Sequence, residues 1–271
     1  MSSPGNSVPA ATPARLAATV LILRDGAAGM EVFMVVRHQE IDFASGALVF
    51  PGGKLAAGDS DPRVRDRCSG AESLPPDQLA LRVGAIREAF EECGVLLARE
   101  GGDAALIGPA RLEQLGLRYR RPLDLGEIGI ADMLEAENLT LACEELVPFA
   151  HWITPAFMPK RFDTYFYLAV APPQQVALHD GREMVDSVWL RPADALAQAA
   201  AGSRTIVPAT LLNVAKLGFS ASVAEALAAA RAQPVVTVQP ELVQGTDEVL
   251  LRIPAEAGYR VTEFAMPTPL K

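Results

Sequence analysis

The stretch Arg87-Glu88-Ala89-Phe90-Glu91-Glu92-Cys93-Gly94-Val95 decides how this chain is read. It closes a helix predicted over residues 77–93. At about 100° per residue, Leu79, Val83, Ile86 and Phe90 form one apolar stripe. Gly94 can end the helix in the left-handed conformation. Glu88, Glu91 and Glu92 fall on the opposite face, with Arg87 at its edge. One turn earlier, Gly84 and Ala85 leave open space above the carboxylates. The arrangement is electrostatically awkward. Glu88 repels Glu91 and Glu92 at i+3 and i+4, and all three sit where the helix dipole disfavours negative charge. Local rules broken together mark a functional site. A divalent cation is the natural remedy, and carboxylates without His or Cys select Mg²⁺ or Mn²⁺ over zinc. A solvated acidic helix face has the same spacing, so spacing alone leaves both readings open.

Upstream, the strand-like Leu48-Val49-Phe50 runs into Pro51-Gly52-Gly53. Before it, residues 17–23 and 31–37 read as a hairpin linked by the turn at 25–29. Residues 56–78 are polar and rich in Gly, Asp and Pro, which predicts a long surface loop. Downstream, residues 103–139 read as short helices broken at Gly108-Pro109 and Pro122. Strands are expected at 149–154, 164–170 and 184–190, and helices at 192–201 and 209–231. Weak alternation at 235–243, 248–253 and 259–264 predicts a small terminal β element, and residues 1–14 a loose tail. The order of elements indicates an α/β fold: one domain over 15–232, with insertions at about 60–78 and 103–139, and a C-terminal β extension over 233–271 packed on it.

The chain has 271 residues, half of them hydrophobic and 21% charged, which is globular composition. A net charge of −9 argues against non-specific binding to nucleic acid or membrane surfaces. An anionic substrate remains compatible if metal ions supply positive charge. Cys68, Cys93 and Cys143 cannot all pair and show no C-x-x-C spacing, which argues against a zinc site or disulfide scaffold and for a reducing cytosol. The longest early apolar run, Leu16 to Leu23, is too short to span a membrane. A cytoplasmic protein is expected, with a homodimer as a compatible assembly.

The quoted residues resemble the Nudix hydrolase signature: a glycine, five residues, an acid, a spacer, then R-E-U-x-E-E-x-G-U, with U bulky and apolar. Gly53 matches the leading glycine, and Asp59 stands where the family usually has Glu. Residues 60–86 form a spacer of 27, twenty longer than the family's usual seven. Such an insertion is similar to one branch of the family, the peroxisomal-type coenzyme A diphosphatases. Further likenesses are the strand ending in Arg37, the Phe43 to Gly53 approach, His151-Trp152-Ile153-Thr154-Pro155, Arg161-Phe162-Asp163-Thr164, and Trp189 before Arg191-Pro192.

The resemblance implies an α/β/α sandwich with a mixed sheet and a metal-dependent hydrolase acting on a nucleoside diphosphate linked to another moiety. Coenzyme A or an acyl derivative is the best substrate candidate. ADP-ribose, NADH or a nucleotide sugar is an alternative, as is a non-catalytic nucleotide-sensing domain. It implies that Glu91 and Glu92 are the main ligands of Mg²⁺ or Mn²⁺, and that Glu88 is a further ligand or the base that deprotonates water. Arg87 would orient Glu88, and the Gly53 carbonyl would complete the metal shell. Outside the box, Arg37 is a phosphate-holding candidate or a surface arginine. Lys160 and Arg161 could meet a 3′-phosphate or form a plain loop pair. Glu144, Glu145 and Glu183 are candidate ligands or bases. His38, His151 and His179 lack ligand spacing and read as structural or exposed. Cys93 reads as core, and Trp152 and Phe157 as core packing or an adenine stack.

Overall fold

The computed structural model describes residues 12–38, 46–175, 177, 179, 181, 183–245 and 248–265. Residues 1–11 of the expected tail, and 43–45 of the Phe43 to Gly53 approach, lie outside them. The predicted hairpin forms from β1 (Arg15–Gly26) and β2 (Gly29–Arg37). Two short strands follow, β3 (Leu48–Val49) against β2 and β4 (Gly52–Lys54) against β1. After β5 (Cys68–Ser69) comes α1 (Pro76–Cys93). Next are β6 (Ala98–Glu100), α2 (Pro109–Asp124), α3 (Ile130–Ala136) and β7 (Leu139–Ala142). The chain then builds β8 (Val147–Ile153), β9 (Phe162–Val170) and β10 (Met184–Leu190). Three helices follow, α4 (Pro192–Ala200), α5 (Pro208–Leu217) and α6 (Val223–Ala232). The described chain ends with β11 (Thr237–Val238), β12 (Glu241–Gln244), β13 (Val249–Arg252) and β14 (Glu263–Ala265).

The main sheet is mixed, in the order β10-β2-β1-β9-β8-β11, with β1 parallel to β9. Both its faces are covered, which explains why Val20, Leu21, Ile22 and Leu23 are all buried in one strand. Val20, Ile22, Phe33 and Val35 face the apolar stripe of α1. Leu21, Leu23, Val32 and Met34 face Val214, Leu217, Val223 and Ala226 of α5 and α6. The α/β/α sandwich expected from the sequence is therefore present.

Several local expectations need correction. Residues 56–78 are not a surface loop. They form 3₁₀ turns at Ala57–Ser60 and Pro62–Arg67, then β5, and they bury Asp59, Val64, Cys68 and Ala71. Arg63 reaches Asp132 and Glu135 of α3, and Arg65 donates to the carbonyls of Ala71 and Leu74. Polar composition concealed this, because the arginines satisfy the turns while few apolar residues anchor them. Pro122 does not break α2. It removes one helical bond near the C-terminal end, and the buried stripe Leu112, Leu115, Tyr119 and Leu123 carries the helix past it. The helical segment 209–231 is two helices, parted at Gly218-Phe219-Ser220, with Ser222 capping the second by accepting from the Glu225 amide. The strands β6 and β7, unpredicted, join β5 in a small sheet of their own. At the C-terminus β11 joins the main sheet beside β8, while β12, β13 and β14 form a separate antiparallel meander. Tyr259 packs this extension on the body: its hydroxyl accepts from Trp152 Nε1 at 2.8 Å and donates to Asn213 Oδ1 at 2.7 Å.

Candidate active site

α1 begins with two prolines and carries Asp77 in its first turn, a favourable helix start. Gly94, at φ 67°, ends it as the periodicity predicts; its amide donates to the Phe90 carbonyl and the Val95 amide to that of Ala89. The acidic face is not solvated. Glu91 and Glu92 are 8% and 4% exposed, and Asp59 1%. The space above Gly84 is filled as well: a Cβ there would meet Asp59 Oδ2 at 3.0 Å.

Arg87 organises the cluster. It grips Asp59 with both prongs of its guanidinium, Nε to Oδ1 at 2.8 Å and Nη2 to Oδ2 at 3.0 Å. Nη1 donates to Glu91 Oε2 at 2.7 Å, and Nη2 reaches the Lys54 carbonyl and, at 3.0 Å, Glu88 Oε1. Asp59 also accepts from the Ala56 amide. On the other side, the Gly52 amide donates to Glu92 Oε2 at 2.8 Å. Gly53 lies against Glu88 so closely that a Cβ would stand 2.6 Å from its carboxyl group. The Pro51-Gly52-Gly53 stretch thus leads into β4, whose backbone faces the acids. Arg120 of α2 fixes the helix end from outside by donating to the Glu91 carbonyl.

Burial is the main force on the three glutamates. It pushes Glu88 up to about 7 despite the pull of Arg87, with Asp59 and Glu183 adding repulsion. It pushes Glu91 up to about 8, again against Arg87. Glu92 is raised well above the usual carboxylate range by burial and then by Glu88. Burial opposes the charge on Arg87, but Asp59, Glu88 and Glu91 more than offset it and hold the guanidinium protonated. Arg37 and Glu183 belong to the same electrostatic neighbourhood, since both act on Glu92. They are paired at 2.7 Å, and Arg37 Nε is buried with no partner among the described residues.

Other candidates stand elsewhere. Glu144 and Glu145 both pair with Arg99, beside the small sheet. Arg161 donates to the carbonyls of Thr154 and Thr12 at the start of β9. His151 lies between Thr237 and Asp163, stacked on Tyr165, and His179 meets Ser187. Cys93 and Trp152 are buried, and Phe157 is exposed. The Gly52 amide, the Lys54 carbonyl and Arg120 were missed. The first two are backbone groups with no signal beyond the Pro-Gly-Gly turn, and nothing local marks Arg120.

Among the described residues, no three His, Cys, Asp or Glu side chains stand as a ready-made metal cage. One oxygen of each glutamate is engaged by Arg87 or Gly52 instead. The chemistry nonetheless fits a hard ion. The donors are all oxygen, and Glu91 Oε1 is buried without a partner among the described residues.

A two-sided sandwich with an acidic helix facing a Gly-Gly strand is the architecture of a known class. A family model described as the NUDT19 Nudix domain matches residues 62–217, more than half the chain. The chain belongs to this Nudix family. The matched range includes α1 but not Gly53 or Asp59. Among solved structures, a Nudix hydrolase from Alicyclobacillus acidocaldarius is 28% identical, with a TM-score of 0.66 over 80% of this chain and 96% of that one. Among curated proteins, the acyl-coenzyme A diphosphatase NUDT19 of Xenopus laevis is 24% identical over 205 residues, 61% of this chain and 54% of that protein. The human protein of the same name is 25% identical over 241 residues, 73% of this chain and 63% of its own length. The chain therefore spans between half and two thirds of these relatives. No helix among the described residues is long and apolar enough to cross a membrane.

Proposed function

We propose that this chain is a metal-dependent Nudix diphosphatase acting on coenzyme A or an acyl-coenzyme A, giving 3′,5′-ADP and the matching phosphopantetheine. The observation that carries the hydrolase reading is the set of buried Glu91 and Glu92 with half-buried Glu88, packed against Gly52 and Gly53 and organised by Arg87. The coenzyme A class is supported by the names of the curated relatives.

Glu88, Glu91 and Glu92, with the Gly53 carbonyl, would hold Mg²⁺ or Mn²⁺. When bound, such an ion neutralises diphosphate charge and makes coordinated water more acidic. The chain supplies the rest. Glu88, whose carboxyl burial raises in the ion-free site, would take the water proton where it acts as the base rather than as a further ligand. As water oxygen joins one phosphorus, the bridging P–O bond breaks and the water proton passes to Glu88. Arg87, anchored by the buried Asp59, keeps the Glu88 carboxyl in place. Arg37, with its unpartnered Nε, would hold a phosphate oxygen.

The test is a substrate panel. Purified protein with Mg²⁺ or Mn²⁺ is incubated with coenzyme A, an acyl-coenzyme A, ADP-ribose, NADH and nucleoside triphosphates, and products are read by mass. Release of 3′,5′-ADP from the coenzyme A substrates is expected. Preferential cleavage of ADP-ribose or NADH would overturn the substrate class, and no cleavage of any would favour a sensing role.

A further inference from the structure

The last turn of α1 carries Glu91 and Glu92 and no basic residue, at the end where the helix dipole is negative. Its backbone is incomplete as well. A helix leaves its final carbonyls without intrahelical donors. The amides that could close on the Glu91 carbonyl are those of Gly94 and Val95, three and four residues on. Both are directed elsewhere, to the carbonyls of Phe90 and Ala89.

Arg120, half-buried on α2, supplies what this turn lacks. It donates to the Glu91 carbonyl from Nη2 at 2.9 Å and from Nε at 3.3 Å. The guanidinium also lies beside the helix stop, since a Cβ at Gly94 would stand 3.1 Å from Nη1. α2 is a firm base for this reach. Its residues Leu112, Leu115, Tyr119 and Leu123 are buried in the core that α1 shares, and Arg111 and Arg118 tie it to Glu137. Glu91 is therefore held at two points by two arginines. Arg87 Nη1 takes its carboxyl at 2.7 Å, and Arg120 takes its carbonyl.

We propose that Arg120 is a positioning residue for the metal site: from the helical insertion it clamps the last turn of α1 and so sets where Glu91 and Glu92 present their carboxylates. The role rests on the metal-dependent function proposed above. Arg120 acts through the Glu91 backbone and is not itself a ligand. Without it, the carbonyl turns to water and the end of the helix frays. The cost of ordering both carboxylates then falls on ion binding. The insertion that carries α2 thereby belongs to the site.

Mn²⁺ binding is measured by electron paramagnetic resonance on the substrate-free, full-length chain. Arg120→Met should bind Mn²⁺ about tenfold more weakly than the unmodified chain, with an unchanged circular dichroism spectrum. Arg120→Lys, which retains the charge and a donor, should recover part of that loss. Arg118→Met, on the same helix but paired with Glu137, should bind Mn²⁺ normally. In the metal-free protein, hydrogen exchange at the Gly94 and Val95 amides should quicken about tenfold in Arg120→Met, as one charge-assisted hydrogen bond is lost. Glu92→Gln serves as the reference for a lost ligand. If Glu92→Gln binds weakly while Arg120→Met stays within about twofold of the unmodified chain, the positioning role alone is overturned. A loss shared by Arg118→Met would also overturn it, because general loosening of α2 would then be the cause. An unmodified chain that binds no Mn²⁺, or Glu92→Gln binding as tightly as it does, would overturn the metal reading and this proposal with it.

Discussion

At Gly53 the missing side chain is what lets the Glu88 carboxyl lie against the backbone. A methyl group there would displace the Glu88 carboxyl, which is the free end of a flexible side chain and can move aside at little steric cost. Gly53→Ala is therefore expected to lower turnover about 100-fold through misplacement of Glu88, with the unfolding midpoint nearly unchanged; kinetics and urea denaturation on one preparation separate the two. At Glu92 the geometry differs, because its carboxyl already accepts the Gly52 amide. Glu92→Gln keeps an oxygen for that bond but removes the charge. Mg²⁺-dependent turnover should fall at least ~100-fold with an unchanged circular dichroism spectrum. Unaltered turnover would remove Glu92 from the ligand set.

α1 and the 3₁₀ turn at Ala57–Ser60 depend on each other. The helix supplies Arg87, and the turn supplies Asp59 with its amide-fixed carboxyl. With Asp59 fully buried, its replacement leaves a buried guanidinium short of a counter-charge. Asp59→Asn should cost about 3 kcal/mol of unfolding free energy, measured by urea denaturation, and should lower turnover as Glu88 loses a fixed neighbour. A loss below 0.5 kcal/mol would mean that Glu91 and Glu88 suffice to hold Arg87. Asp59, which the resemblance sets at the family's acid position, thus sits in a packed turn immediately before the spacer. Between β4 and α1 the chain carries two 3₁₀ turns of its own and the short strand β5.

Across the whole molecule, the sheet divides two cores. One binds α1 and the site, and the other binds α5, α6 and the C-terminal extension. Tyr259 ties that extension to Trp152 on β8 and Asn213 on α5, on the side away from the acids. Tyr259→Phe leaves Trp152 Nε1 and Asn213 Oδ1 short of a partner. It should lower stability by about 2 kcal/mol in thermal or urea unfolding while leaving the Michaelis parameters unaltered. A change in kcat would show that the two cores communicate.

The sequence by itself determined the helix over α1, its stop at Gly94, the β1–β2 hairpin and the grouping of Glu88, Glu91 and Glu92. Each follows from periodicity, a left-handed glycine or spacing along a short stretch of chain. Tertiary structure alone decided whether the acidic face met water or protein. It buried the face because β4 and the 3₁₀ turn at Ala57–Ser60 pack onto it, and no local pattern encodes which distant backbone will arrive. The same holds for Arg99 taking Glu144 and Glu145, for Arg161 spent on carbonyls, and for β11 crossing into the main sheet. A charged side chain declares its chemistry in the sequence, but its partner depends on contacts between residues far apart along the chain.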